Sequence, residues 1–204
     1  MLNGPLGQGE VVHISPGRVG LRATLSGSPP QDAGVHLVLA LPRPKVLGRV
    51  LRDVTALGVK RLTLINAARV EKSYWQNHRL QPAWLREQLL LGLEQARDSL
   101  LPRVAIERRF RPFVEDRLAT SAAEADQRLL LHPPAPDDVG PAPHAEAPAD
   151  MSSAFITLVV GPEGGFVPFE LEMLQQIGFR RRGLGARILR VETVIPLALG
   201  RLRG

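Results

Sequence analysis

Phe155-Ile156-Thr157-Leu158-Val159-Val160-Gly161-Pro162-Glu163-Gly164-Gly165-Phe166 passes from an almost uninterrupted apolar run into a glycine-rich turn. A run without polar alternation is what a strand covered on both faces requires. A helix is expected beyond the turn, near Pro168–Ile177. A turn so placed lies at the carboxyl end of its strand, where open α/β sheets bind ligands. Three glycines let a ligand approach the backbone with no Cβ in the way. They serve equally well in a plain strand–helix turn that needs positive φ. The turn lacks the lysine and Ser/Thr of a P-loop, and it does not fit G-x-G-x-x-G.

Upstream, strand and helix signals alternate. Val35–Leu41 is a second, nearly continuous apolar run. Residues 45–57 carry apolar groups at 46, 50, 54 and 57, a helical stripe that Gly58 should end. Arg61–Asn66 reads as a strand. Pro82 and Trp84 open a helix with apolar positions 85, 89, 93, 96 and 100, closed by Pro102. Val104–Ile106 and Arg128–His132 read as short strands. Downstream, a short strand is expected around Ile188–Leu189 and a last helix from about Thr193. This alternation predicts an α/β fold with a parallel sheet over residues 35–204. Residues 1–34 differ: Val11–Ile14 and Arg18–Leu25 are β-like, with Val19, Leu21, Ala23 and Leu25 on one face, and Ser26–Gly34 reads as a linker. So short a pair is expected to be part of a small β domain. Residues 133–150, rich in Pro, Ala and Asp, predict a mobile surface loop.

Composition narrows the function classes. The chain has no cysteine, which excludes disulfides, thiolate catalysis and zinc–thiolate sites. No run of eighteen or more apolar residues appears, so no membrane span is expected. The first residues have neither the charged nor the apolar region of a signal peptide, and a cytoplasmic protein is the reading. Net charge is +6, and all but Lys45, Lys60 and Lys72 of the 26 basic residues are arginine. Arg180, Arg181, Arg182, Arg187, Arg190, Arg201 and Arg203 face Glu192 as the only acid in the last stretch. Such a cluster suits a polyanionic partner or ample solvent.

Behind the turn come Glu170, then Gly178-Phe179, then Leu184-Gly185-Ala186-Arg187-Ile188-Leu189-Arg190-Val191-Glu192-Thr193. Together with the GPEGG turn, this segment resembles the methyltransferase E family of the SPOUT superfamily, which methylates uridine N3 in small-subunit ribosomal RNA. Leu57-Gly58-Val59 matches the end of that family's ELGV helix, with Ala56 at the glutamate's place. Glu94-Gln95 and Leu131-His132-Pro133 fall where the family has similar residues. The resemblance covers about residues 35–204 and implies a trefoil-knotted parallel sheet. It also implies S-adenosylmethionine held in the knot by Leu131, His132 and Pro133, by Gly161, Pro162, Glu163, Gly164 and Gly165, and by Leu184, Gly185, Ile188 and Leu189. A homodimer through the knot helices is implied, with 16S ribosomal RNA of the small subunit as partner and no metal.

For the reaction, the resemblance points to three residues. Arg190 would stabilise the anion developing on the uracil oxygen, and Glu192 would orient the base or accept its proton, with Thr193 beside it. The residues alone leave another reading open: Arg190 and Glu192 pair, and Thr193 caps the last helix. Two departures stand out. Val191 stands where the family often has threonine. Ahead of Val35 there is room for only about half of the PUA-like barrel that family members carry. The alternatives are a related SPOUT enzyme acting on another RNA, and a non-catalytic RNA-binding or assembly protein.

Overall fold

The computed structural model describes residues 2–132 and 154–203; the loop expected near 133–150 lies outside them. Six strands form one parallel sheet: β3 (Val35–Ala40), β4 (Arg61–Ile65), β5 (Arg103–Glu107), β6 (Gln127–Leu131), β7 (Ile156–Val160) and β8 (Arg180–Arg182). Their order is β5-β4-β3-β7-β6-β8. All residues of β3 and β7 are buried, which explains why neither alternates. Their register runs from Val35 opposite Ile156 to Leu39 opposite Val160. From this central pair the chain diverges, β4 and β5 to one side and β6 and β8 to the other.

The flanking helices follow from local chemistry. Helix α1 (Pro44–Ala56) starts with proline at a position whose N–H needs no partner. Gly58, at φ +83°, follows its end as expected. Helix α2 (Pro82–Ala96) stops before the anticipated Leu100, because Arg97 turns left-handed (φ 52°) and Asp98 accepts the Leu100 N–H at 2.9 Å. These two helices touch through glycines. A Cβ on Gly92 would lie 2.7 Å from the Arg52 carbonyl oxygen, and one on Gly48 3.1 Å from the Trp84 ring. Between α2 and the sheet, the buried Lys60 ammonium pairs with Asp98 and donates to the Leu100 carbonyl at 2.9 Å.

Residues 110–123, outside every expected element, form a helical stretch of α3 (Phe110–Pro112), a π-turn (Phe113–Leu118) and α4 (Ala119–Ala123). Its Phe113, Val114, Leu118 and Ala122 join the core. Helix α5 (Pro168–Gln176) follows the glycine-rich turn. The last helix, α6 (Val191–Arg203), begins earlier than expected, because the Arg190 carbonyl already accepts from Thr193 and Val194 at 2.9 Å. The expected strand at Ile188–Leu189 is not formed. The strand beside β6 is Arg180–Arg182, a charged edge strand that apolar patterning does not reveal.

Chain threading sets up the site. From β8 at the sheet's edge, the chain returns over the carboxyl ends of β6 and β7 to α6, which lies against α1. Helix α6 then runs back towards the amino ends of the strands, where Arg203 donates to the carbonyls of Gly34 (2.8 Å) and Ala154 (2.6 Å). Among the described residues no helix is long and apolar enough to cross a membrane.

Ahead of the sheet, β1 (Leu6–Ser15) and β2 (Arg18–Gly27) make an antiparallel hairpin. Residues 2–4 tie it to the loop before β5: the Asn3 N–H donates to the Ser99 carbonyl at 2.7 Å, and the Ser99 hydroxyl to that of Gly4 at 2.5 Å. Val11, Ile14, Val19, Leu21 and Leu25 are exposed. The register places them on one face, with Glu10, Arg22 and Thr24 on the other.

Candidate active site

Three strands end on one pocket. Leu131 closes β6, Val160 closes β7 and Arg182 closes β8, and all three line a cleft at the carboxyl edge of the sheet. The cleft spans about 650 Å³, open solvent included. The glycine-rich turn forms one wall with Gly161, Pro162, Glu163 and Gly165. The other wall is Leu184, Gly185, Arg187, Ile188 and Leu189, and Val191 and Val194 close the floor.

The turn is held from several sides. Gly165, at φ +72°, donates its N–H to the Pro162 carbonyl at 2.8 Å. Arg69, in the segment after β4, donates to the Gly164 carbonyl. The Arg43 N–H, just after β3, donates to Glu163 Oε1 at 3.2 Å. Behind the turn, the buried carboxylate of Glu170 accepts the Ala68 N–H at 2.6 Å and the Val167 N–H at 3.0 Å. Phe166 is buried against Phe110, ring centroids 5.9 Å apart. The opposite wall is looser: among the described residues one hydrogen bond holds residues 184–189, from Arg201 to the Leu184 carbonyl at 3.3 Å. Ile188 on that wall is 85% exposed.

Of the residues expected to hold a cofactor, Leu131, His132, Gly161, Pro162, Glu163, Gly165, Leu184, Gly185, Ile188 and Leu189 all line the cleft, brought together from three separate stretches. Gly164 is exposed and offers its carbonyl to Arg69 instead. Pro133 lies outside the described residues. Arg190 and Thr193 are exposed and Glu192 is partly buried. None of the three is a lining residue, but Leu189, Val191 and Val194 around them are. Among the described residues Arg190 and Glu192 form no ion pair. Thr193 is not the helix cap either: it sits inside α6, two residues past the helix start.

Sequence reading missed the bracing pair Arg69 and Glu170. Glu170 carried a usable signal, a carboxylate at the third position of a helix that opens with proline. Arg69 carried none, since its contact bridges 95 positions. Val191 and Val194, one helical turn apart, also line the cleft unannounced.

Small and aliphatic residues dominate the cleft, which suits an adenosine-sized ligand gripped by backbone and apolar contact. Gly185, at φ +124°, has nothing within 4 Å of the place a Cβ would occupy. Arg182 and Arg187 add positive charge suited to a ligand carboxylate.

Comparison with known proteins gives the same picture. Residues 29–203 match the RNA methyltransferase domain family. The chain is 29% identical over 160 residues to ribosomal RNA small subunit methyltransferase E of Treponema pallidum, covering 78% of this chain and 58% of that protein. It is 30% identical over 189 residues to the protein of that name in Mycobacterium tuberculosis, covering 90% and 69%. The chain thus spans somewhat over half the length of the first relative. Among solved structures, ribosomal RNA small subunit methyltransferase E from Neisseria gonorrhoeae, bound to S-adenosylmethionine, aligns with a TM-score of 0.70 at 20% identity, over 96% of this chain and 76% of that one.

Proposed function

The chain belongs to the RNA methyltransferase family, and on that premise we propose that it transfers the methyl group of S-adenosylmethionine to N3 of a uridine in 16S ribosomal RNA. The observation that carries the proposal is the convergence of Leu131–His132, Gly161–Gly165 and Leu184–Leu189 on one cleft at the end of β6, β7 and β8. The names of the relatives supply the substrate class, and the cofactor bound in the Neisseria structure supplies the ligand.

Bound S-adenosylmethionine supplies a methyl group activated by its sulfonium. The cleft would hold it with Leu131, Leu184, Ile188 and Leu189 against the adenosine, backbone groups of the turn 161–165, and Arg182 and Arg187 for the carboxylate. Uridine N3 must lose its imide proton to attack; the new N–C bond forms as the C–S bond breaks and its electron pair stays on sulfur. Arg190, at the rim between Leu189 and Val191, neutralises the charge that spreads to the uracil oxygens, the kind of effect that dominates many rate enhancements. Glu192, in the first turn of α6, accepts the proton. Thr193 orients the base beside it.

In this reading residues 35–204 form the catalytic domain. The hairpin ahead of them is part of a PUA-like β domain that grips RNA, and two copies pair through α6 and its neighbours. The substrate places the reaction in the cytoplasm. The test is transfer of labelled methyl into small subunits lacking the modification, followed by nucleoside analysis. Label in N3-methyluridine is the expected result; label in another nucleoside overturns the assignment of the base. Absence of label while calorimetry still shows cofactor binding would favour an assembly role.

A further inference from the structure

From the cleft a connected arc of arginines and aromatic rings leads away over the carboxyl ends of β3, β4 and β5. Glu163 and Gly165 of the cleft wall adjoin Arg43 and Arg69. Beyond Arg69, the segment after β4 presents Trp75, half-buried, its indole N–H fixed on Asn66 Oδ1 at 2.7 Å. The Arg108 guanidinium lies 5.5 Å from the centre of the Trp75 ring and donates to the Trp75 carbonyl at 3.3 Å. Arg109 is exposed next to it. The strands themselves lock this end of the sheet: the Asn66 N–H donates to the Glu107 carbonyl at 2.9 Å, fixing the start of one loop to the start of the other.

Arg43 faces the Glu163 carboxylate at 3.9 Å, but the charges farther along the arc have no such partner. Among the described residues Arg69, Arg108 and Arg109 form no ion pair. Arg69 and Arg108 donate to backbone carbonyls, which position a guanidinium without cancelling its charge. Of the nearby acids, Glu107 pairs with Arg117, while Glu71 keeps its charge and accepts from the Tyr74 hydroxyl at 3.0 Å. A guanidinium already stacked on an indole offers a flat cationic surface, and such surfaces hold unstacked bases and their phosphates together. A duplex would bury its bases away from this surface, so the chemistry favours a single strand.

We propose that this arc, centred on Arg108, Arg109 and the Trp75 stack, binds the single-stranded RNA segment adjoining the target nucleotide. The inference rests on the methyltransferase reading only for which RNA is bound. Its test needs no turnover. A labelled single-stranded oligoribonucleotide is titrated with the whole protein at several salt concentrations, comparing wild type with the exposed-residue double variant Arg108→Gln/Arg109→Gln. Cofactor affinity serves as the control on folding. The variant is expected to bind roughly tenfold more weakly, and its slope of log affinity against log salt to be shallower by about 1.4, two phosphate contacts at ~0.7 each. A fully paired duplex of the same sequence should lose much less. Unchanged affinity and slope would overturn the proposal and leave the arc to an acidic protein segment; so would equal losses with single strand and duplex. Wild type that binds the oligonucleotide through these arginines yet methylates no RNA would refute the activity and leave the arc standing. Methylation with unchanged variant binding would do the reverse.

Discussion

The two walls of the cleft are built on opposite principles. The wall at Gly161–Gly165 is braced by Arg69, Arg43 and Glu170 and backed by the buried Phe166. Among the described residues, the wall at Leu184–Leu189 hangs on one hydrogen bond, and it shows Ile188 to solvent. A braced wall keeps its shape before anything binds, which spares a ligand the entropy of ordering it. A loose wall is shaped by what it meets. The proposed chemistry follows the loose wall, since Arg190 and Glu192 continue directly from it.

The sharpest break of that comparison is at its chemical end. Arg190→Ala should lower kcat by about 10²- to 10³-fold, the usual scale for losing a group that stabilises developing charge. Cofactor affinity by calorimetry should hold, because Arg190 is exposed and does not line the cleft. Full turnover in this variant would remove Arg190 from the mechanism.

The braced side draws its rigidity from the sheet behind it, and that sheet contains a titratable group. His36, in β3, hydrogen-bonds the Thr63 hydroxyl across to β4 at 2.9 Å. Burial, and secondarily the Arg61 cation, pull its pKa from 6.5 down to about 4. Between those values the unfolded chain binds more protons than the folded one. Stability is therefore full above pH 6.5 and falls as pH drops towards 4, by on the order of 3 kcal/mol. Urea unfolding at pH 7, 5 and 4 should show this decline, and His36→Gln should flatten it. An equal decline in the variant would assign the acid sensitivity to other groups.

Glu170→Ala addresses the brace itself. It strips the acceptor from two amide N–H groups in a buried setting and should cost about 2 kcal/mol of unfolding free energy. Cofactor affinity should fall with it, because the brace positions the turn. A loss of stability with unchanged cofactor affinity would confine Glu170 to the fold.

The difference between the walls also explains what the residues disclosed in advance. Strands β3 and β7 were legible because burial on both faces calls for runs that are almost wholly apolar, broken only by His36 and Thr157, and the glycine-rich turn was legible because it ends such a strand. The cleft residues of all three stretches were found through motif resemblance, and the structure brings them together. By contrast, Arg180–Arg182 gives no apolar signal, since an edge strand is covered on fewer sides. Ile188-Leu189 gave a false one: its apolar character serves the cleft and not a sheet. The helical stretch 110–123 hides behind Pro112 and its π-turn, which breaks the regular helical spacing. Arg69 and Arg108 act across chain separations that no local pattern encodes.

Ile188 offers the finest test of the loose wall. A side chain 85% exposed adds almost nothing to the unliganded fold, so Ile188→Ala should leave stability within about 0.5 kcal/mol. If the wall closes on the cofactor, the same side chain goes from water to apolar contact when the ligand arrives. Losing its methyl groups should then weaken cofactor binding by about 1 kcal/mol, a several-fold rise in Kd by calorimetry. The binding heat capacity should also become less negative, as less apolar surface is buried. Unchanged affinity and heat capacity would mean that Ile188 stays in solvent when the cleft is filled. The loose wall would then be shaped by RNA or by a second copy of the chain, and the contrast between the walls would concern the partner rather than the cofactor.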